Sequence, residues 1–447
     1  MRENKRDTFS SIGVILAMAG GAVGLGNIWR FPYLVGQNGG AAFICIYLVI
    51  ILLVSLPIFI CEFVIGKRGR ANACGSFRKL APGTKWHLAG TLGVLTSFFI
   101  LTFYCVIGGW STDYLIRAIR FGFRASANPD FDAMFASSVT TAWRPLLHTL
   151  LFLAMAVGIL LGGIKGGIEK FSKVMMPVLF VLMVGIAIFS MCLPGSGEGI
   201  RYLFKPDFSK VTGQTVVQAL GQAFFSLSLG MGGMITYASY ASPDENAAKC
   251  SLTTALFDTI FAIIAGCAVM PAVFAFGGNP ESGPGLVFLT LPRIFEAMPC
   301  GGVVAIVFFL SLLLAAVSSA VSLAEVVISF IIEEFNMNRS RSAATVFVTT
   351  LAISILNSLS QGAVPGLSLF GKNLIDLLDY TTANIMMTTC SLLTVIFVGW
   401  KFGKEAFVDE ITNHGTLGIS RKLTETVFFL IKYLIPVVIV LIMVSSL

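Results

Sequence analysis

Charge is what this sequence has least of. Asp, Glu, Lys and Arg make up 12% of its 447 residues, whereas a soluble domain needs roughly 25% to cover its surface. The deficit argues against the two or three soluble domains that the length alone would allow, and it implies that much of the outer surface meets lipid. Histidine is scarce too: His87, His148 and His414 stand far apart and suggest no metal site. The nine cysteines contain no CxxC pair, and most lie in apolar runs, where they read as small hydrophobes. No GxxxxGK[ST] stretch occurs, which argues against an ATP-driven pump. No nucleophile–base cluster appears, so the chain is not read as an enzyme.

What the sequence does have is apolar length. Residues of hydrophobic type make up 56%, and the mean hydropathy is +0.87. Runs of the 20 or so apolar residues that a membrane helix needs fall near 12–35, 41–66, 88–121, 144–163, 171–193, 214–240, 250–277, 300–333, 344–359, 373–400 and 424–446. The expected class is an all-α polytopic membrane protein with eleven spans, residues 1–447 forming one integral domain in the lipid bilayer. The net charge of +7 sits in short loops between these runs, a pattern of topology signals rather than a nucleic-acid surface. Twenty of the 30 Lys and Arg residues fall on the side of the N-terminus, nine on the other side, and Arg30 within the first span. That bias puts the N-terminus in the cytoplasm and, with an odd number of spans, the C-terminus outside the cell (inner) membrane. The basic start, MRENKRDTFSS, reads as retained cytoplasmic sequence rather than a signal peptide.

Two spans carry glycine clusters in mid-membrane: AGGAVGLGNIWRFP (19–32) and FFSLSLGMGGMITY (224–237). Each glycine costs about 1 kcal/mol relative to alanine in a helix, so the clusters invite unwinding. Close packing of helices through small residues would explain either alone. Two breaks five spans apart are what two inverted five-helix repeats would produce, with a binding site between them. Freed amides at a half-helix N-terminus favour a carboxylate, and freed carbonyls favour a cation. The implied ligand is a zwitterion or anion beside a small cation.

The stretches GAVGLGNIWRFPYLVGQNGGAAF (21–43) and QAFFSLSLGMGGMITYASY (222–240) strongly resemble the neurotransmitter:sodium symporter family, closest to its bacterial amino-acid transporters. That family is one of the broken-helix transporters on which the inverted-repeat rule is founded. The resemblance covers the ten repeat spans, and an eleven-span bacterial subset fits the count. It implies one repeat over about 10–193, a second over about 214–400, and an additional eleventh helix at about 424–446.

Carried over by position, the resemblance implies two Na⁺ sites. The first would use the Ala22 carbonyl, Asn27, Ser226 and Asp258, completed by the substrate carboxylate. The second would use the carbonyls of Gly20, Val23 and Ala315 with the hydroxyls of Ser318 and Ser319. Such hard oxygen donors suit a hard cation. The substrate carboxylate would meet the amides of Leu25 and Gly26 and the Tyr104 hydroxyl. Its ammonium would meet the carbonyls of Ala22, Phe225 and Ser226 and the Ser228 hydroxyl. Ile100, Phe225, Met231, Ser319 and Leu323 would line a mainly apolar side-chain pocket, which implies a hydrophobic or aromatic amino acid.

Charges within spans cost about 2.5–3.5 kcal/mol even on lenient scales, so they mark function or pairing. By resemblance, Arg30 and Asp379 form an outer gate above a thin lid of Tyr104 and Phe225. Lys5 or Arg6 with Glu333, beside Tyr240, form an inner gate, and Glu62 braces the unwound stretches. Three departures stand out. Phe9 lies where relatives carry Trp followed by Arg, which weakens the inner-gate assignment. Gly21 replaces an Asn of one branch. Asp258 falls where an Asn is common, while Ala262 stands where chloride-dependent members have Ser. Asp258 is therefore expected to supply the negative charge that chloride provides elsewhere. Other classes fit less well: a non-translocating amino-acid receptor would not need gates on both sides, and no span shows a channel's polar stripe. A symporter of another small zwitterion stays open. Stoichiometry, proton counter-transport and oligomeric state do not follow from these residues.

Overall fold

The computed structural model describes residues 8–121, 130–283, 285–364, 366–416 and 419–446. Among these residues, nine helices are long and apolar enough to cross a membrane. They are the second span (Ala41–Gly69), the third (His87–Arg120), the fourth (Arg144–Leu161) and the fifth (Ile164–Met191). The seventh (Ala247–Ala275), eighth (Gly301–Phe335), ninth (Arg339–Leu359), tenth (Leu374–Phe402) and eleventh (Arg421–Ser445) complete them. The two remaining spans are interrupted. The first consists of Ser11–Ala22 and Gly26–Gln37, bent by 48° at the break. The sixth consists of Gly213–Ser226 and Gly233–Ala238, each half too short to cross alone.

Span starts are set by caps. Ser10, Thr212, Asn246, Asn338 and Asn373 each accept a hydrogen bond from a first-turn amide of the helix that follows. The Asn338 cap starts the ninth span at Arg339, ahead of the expected 344, because the Arg339 guanidinium is paired with Glu325 rather than left in lipid. The fifth span also starts early, in a π-helical turn (Ile164–Glu169) that follows Gly163 at φ +75°.

The N-terminal half of the first span packs against the fifth, seventh and eighth, and the eighth packs along the third. Both broken spans are thus enclosed by continuous helices, the condition under which unwound backbone persists at membrane depth. At the face opposite the N-terminus lie the short helices Phe131–Val139 and Leu291–Ala297. They meet through an Arg293–Asp132 ion pair and through Phe288, which packs between Phe135 and the rings of Trp110 and Tyr114. Below them Asp113 is buried and held by Arg117, Arg144 and Ser138.

The eleventh span is largely lipid-facing, but it packs on the tenth and touches Gly213–Ser226 of the sixth. The link that leads to it contains the helix Lys404–Ile411, which docks on the end of the second span. Lys67 and Glu410 form an ion pair of 2.9 Å with side chains only 4% and 6% exposed, and Arg68 reaches Asp409 at 3.0 Å. Arg68, with His414, holds the Asp409 carboxyl below the usual carboxylate range.

Breaking a buried ion pair on one side costs about 3–5 kcal/mol, whereas replacing both partners by apolar residues is often neutral. Glu410→Gln is therefore expected to lower the melting temperature of the purified protein clearly. The double variant Lys67→Met/Glu410→Leu is expected to recover most of it. Fluorescence-monitored thermal unfolding in detergent measures both.

Candidate functional site

The helix of the first span stops at Ala22, and Val23 adopts an extended conformation before the chain resumes helical turns at Gly26. Gly24 is a matter of close approach: a Cβ there would overlap the Ser319 hydroxyl and come within 2.8 Å of the Tyr104 hydroxyl. In the sixth span the break needs left-handed backbone, with Gly230 at φ +73° and Gly232 at +71°, a conformation that glycine adopts without strain. Ser228 shares it at φ +52°.

Polar side chains satisfy the backbone that these breaks release. Glu62, fully buried, accepts from the Gly230 amide at 2.7 Å. The Ser97 hydroxyl donates to the Met231 carbonyl at 2.6 Å, and Gln222 Nε2 to the Gly26 carbonyl at 2.9 Å. The Leu25 amide donates to Tyr104 Oη at 3.1 Å, and the Gly24 amide to Asn27 Oδ1 at 3.0 Å. Such partners are what mid-membrane backbone requires in place of water.

Three expected side chains of the first cation site converge. Asn27 Nδ2 donates to Asp258 Oδ1 at 2.7 Å and to Ser226 Oγ at 3.2 Å, and Ser226 Oγ lies 2.8 Å and 3.0 Å from the two Asp258 carboxylate oxygens. Asp258 is 0% exposed, and among the described residues no cationic side chain pairs with it. Part of the second expected set also meets. Ser319 Oγ lies 3.3 Å from the carbonyl oxygens of both Val23 and Gly21, and the Ser318 hydroxyl lies against Gly20. Ala315 is buried one turn earlier on the same helix.

Between the breaks lies a small pocket of ≈ 20 Å³. Ala22, Gly26, Ile100, Tyr104, Phe225, Ser228, Met231, Ser319 and Leu323 line it, together with Gly21 and Gly24. The Ser228 hydroxyl donates to the Gly21 carbonyl at 3.1 Å. Leu25 faces the other way, into a larger cavity of ≈ 250 Å³ that Arg30 and Asp379 also line. Tyr104 and Phe225 border both spaces and so form the partition between them. Arg30 and Asp379 do not form an ion pair among the described residues; instead, the guanidinium of Arg30 sits 4.9 Å from the centre of the Phe225 ring.

At the opposite end, Lys5 and Arg6 lie outside the described residues. Glu333 accepts from the Asn72 amide and side chain at 2.7 and 3.0 Å. The Tyr240 hydroxyl donates to Glu325 at 2.9 Å, and Glu325 pairs with Arg339 at 2.6 Å. Phe9 is buried edge-on against Tyr237 and Tyr240, and its amide donates to the Tyr240 carbonyl. Sequence reasoning did not single out Glu325, Arg339, Ser97 or Gln222. Glu325 carried a signal, a carboxylate eight residues inside the apolar stretch of the helix Gly301–Phe335, away from the Glu333–Glu334 pair at its end. Ser97 and Gln222 carried none, since buried serine and glutamine in a membrane helix usually serve packing.

Comparisons with known proteins identify the family and the fold. The model of the sodium:neurotransmitter symporter family matches residues 6–125 and 134–447. The chain is 36% identical to the uncharacterized sodium-dependent transporter YhdH of Bacillus subtilis, over 97% of this chain and 96% of that one. It is 27% identical to the sodium-dependent dopamine transporter of Bos taurus, over 91% of this chain and 64% of that one. The crystal structure of MhsT in complex with L-phenylalanine superposes with a TM-score of 0.91 at 39% identity, covering 99% of this chain and all of that one. The fold is accordingly two inverted five-helix repeats with broken first and sixth helices, followed by an eleventh helix.

Leaving a buried donor unpaired costs about 1–3 kcal/mol. Glu62→Ala strands the Gly230 amide and is expected to lower thermal stability by that order. Glu62→Gln keeps an acceptor oxygen in place and is expected to stay near the parent. Melting curves of the two variants side by side provide the check.

Proposed function

The chain belongs to the sodium:neurotransmitter symporter family, and from that premise we propose that it carries a hydrophobic or aromatic amino acid into the cell together with Na⁺, independently of chloride. The observation that carries this reading is Asp258: a fully buried carboxylate whose polar partners are Ser226 and Asn27, both neutral. A buried charge of this kind is compensated by pairing or by a bound metal ion, and a small hard cation suits the oxygens around it.

In the proposed complex, one Na⁺ lies between Asp258, Ser226, Asn27 and the Ala22 carbonyl. The Asn27 amide turns so that its oxygen, rather than Nδ2, faces the ion. The second Na⁺ lies between the first and eighth spans, on the carbonyls of Gly20, Val23 and Ala315 and the hydroxyls of Ser318 and Ser319. The substrate carboxylate takes the Leu25 and Gly26 amides and the Tyr104 hydroxyl. The ammonium takes the carbonyls of Ala22, Phe225 and Ser226 with Ser228. Ile100, Met231 and Leu323 then receive an apolar side chain, in keeping with the phenylalanine held by the structural relative MhsT.

Transport follows by alternating access, with the N-terminus cytoplasmic. Substrate enters through the outer cavity. Arg30 and Asp379 approach across it above the partition of Tyr104 and Phe225. Release of the second Na⁺ then opens the inner side. The membrane potential contributes about 2.3 kcal/mol per charge per 100 mV. The permanent charge of Asp258 does the work that a bound chloride does where an Asn stands at this place, and buried Ala262 offers chloride no donor.

Two measurements test the reading. Radiolabelled hydrophobic or aromatic amino acids are expected to bind the purified protein only with Na⁺ present, and Asn27→Ala is expected to abolish that binding. Binding indifferent to Na⁺ would mean that the cation sites are wrong; failure of every amino acid to bind would point to another zwitterion. In proteoliposomes, replacing chloride with gluconate at fixed Na⁺ is expected to leave uptake unchanged. A large loss there would defeat the role given to Asp258.

A further inference from the structure

Glu169 belongs to neither expected gate, yet it holds the end of the half-helix that carries part of the second cation site. It closes the π-helical turn Ile164–Glu169 at the start of the fifth span and is 6% exposed. The Ser10 hydroxyl donates to Glu169 Oε1 at 2.5 Å, and the Ser10 amide reaches Oε2 at 3.4 Å. Lys173, one turn on, donates to the same Oε1 at 2.6 Å. Ser10 is in turn the cap of the first span, accepting from the Gly13 amide at 3.1 Å. Gly13 lies flat on the carboxylate: a Cβ there would stand 2.6 Å from two of its atoms.

The contact continues along one face. Glu169, Ser172 and Met176 follow at helical spacing of three and four, and Ser172 and Met176 lie against Gly20, whose other neighbour is the Ser318 hydroxyl. Gly20 is ten residues, about 15 Å of helix, from Ser10. A cleft of ≈ 500 Å³ lies beside Ser10 and Glu169, lined also by Lys165 and Lys170. Whatever parts Ser10 from Glu169 therefore begins to unzip the face that shields Gly20 from that cleft.

We propose that Glu169 is a positioning residue for transport: a latch that holds the N-terminal half of the first span against the fifth, and whose release lets water reach the second sodium site from the inside. Lys173 keeps the carboxylate charged and aimed. This rests on the sodium-site assignment above only for its effect on Na⁺; the latch itself is a contact between two helices and can be read without any ligand.

The test is hydrogen–deuterium exchange on the purified full-length protein without Na⁺, combined with the Na⁺ dependence of amino-acid binding. Losing a hydrogen bond to a charged group should speed exchange within 11–22 by about tenfold in both Ser10→Ala and Glu169→Gln, with 26–37 unchanged. Half-saturating Na⁺ should rise several-fold in both, while amino-acid affinity at saturating Na⁺ holds. Ser10→Thr, which keeps the hydroxyl, should behave like the parent, and the Ser10→Ala/Glu169→Gln pair should be no worse than either single change. Should Glu169→Gln not fold, Lys173→Met, which loosens the carboxylate but leaves the Ser10 cap on Gly13 intact, should speed exchange within 11–22 in the same direction, and its failure to do so would overturn the latch. Unchanged exchange in 11–22, additive effects in the double variant, or a rise spread equally over 26–37 would overturn the latch. The expected exchange pattern in a protein that binds no amino acid would keep the latch and sink the transport reading instead.

Discussion

Everything in this molecule is arranged around backbone that has left its helix where there is no water to receive it. Ending a helix in mid-membrane exposes amides and carbonyls whose desolvation costs several kcal/mol each if nothing answers them. Here Glu62, Ser97, Gln222, Tyr104 and Asn27 answer them, each from a side chain that a soluble protein would leave to solvent. The same economy makes the site. In the proposed complex, carbonyls and amides at the breaks are also the groups that the cation and the substrate carboxylate use, so one arrangement would serve both ends.

Charge follows a related rule. Almost every ionised side chain within the spans sits in a local pair or cluster: Lys67 with Glu410, Arg339 with Glu325 and Tyr240, Asp113 between two arginines. Four charged or titratable side chains stand apart from this pattern: Arg30 and Asp379, which line the outer cavity without pairing among the described residues, and Asp258 and Glu62, which meet neutral hydrogen-bond partners. The paired charges lie near the ends of spans, where they fasten helices and short segments to one another. Asp258 and Glu62 lie at the breaks, where their partners are unwound backbone and the neutral side chains around it.

Much of this was legible in the sequence because lipid leaves a simple record. Span count, order and the two breaks follow from apolar length and from Gly24-Leu25-Gly26 and Gly230-Met231-Gly232. The pocket residues came by resemblance to motifs around those glycines, and most of them do line one space. Boundaries were harder: a cap such as Asn338 moves a span start by several residues, and its effect depends on Arg339 finding Glu325 fourteen residues away. Contacts between distant helices were not legible at all. Nothing local to Ser97, Gln222 or Glu169 announces that its partner lies on the sixth or first span. The eleventh helix illustrates the same limit, for its apolar run says only that it spans, and its docking on the tenth and sixth emerges only from packing.

The partition formed by Tyr104 and Phe225 has a consequence for how such a protein can diverge. Both side chains face the small pocket on one side and the wide cavity on the other, and Phe225 also carries the Arg30 guanidinium on its ring. A change of either residue that reshapes the pocket also reshapes the wall of the cavity beyond it. If cargo is held there as proposed, selection for a different one is pushed toward walls that touch only one compartment, Ile100, Met231 and Leu323, while the shared wall is held still by its double duty.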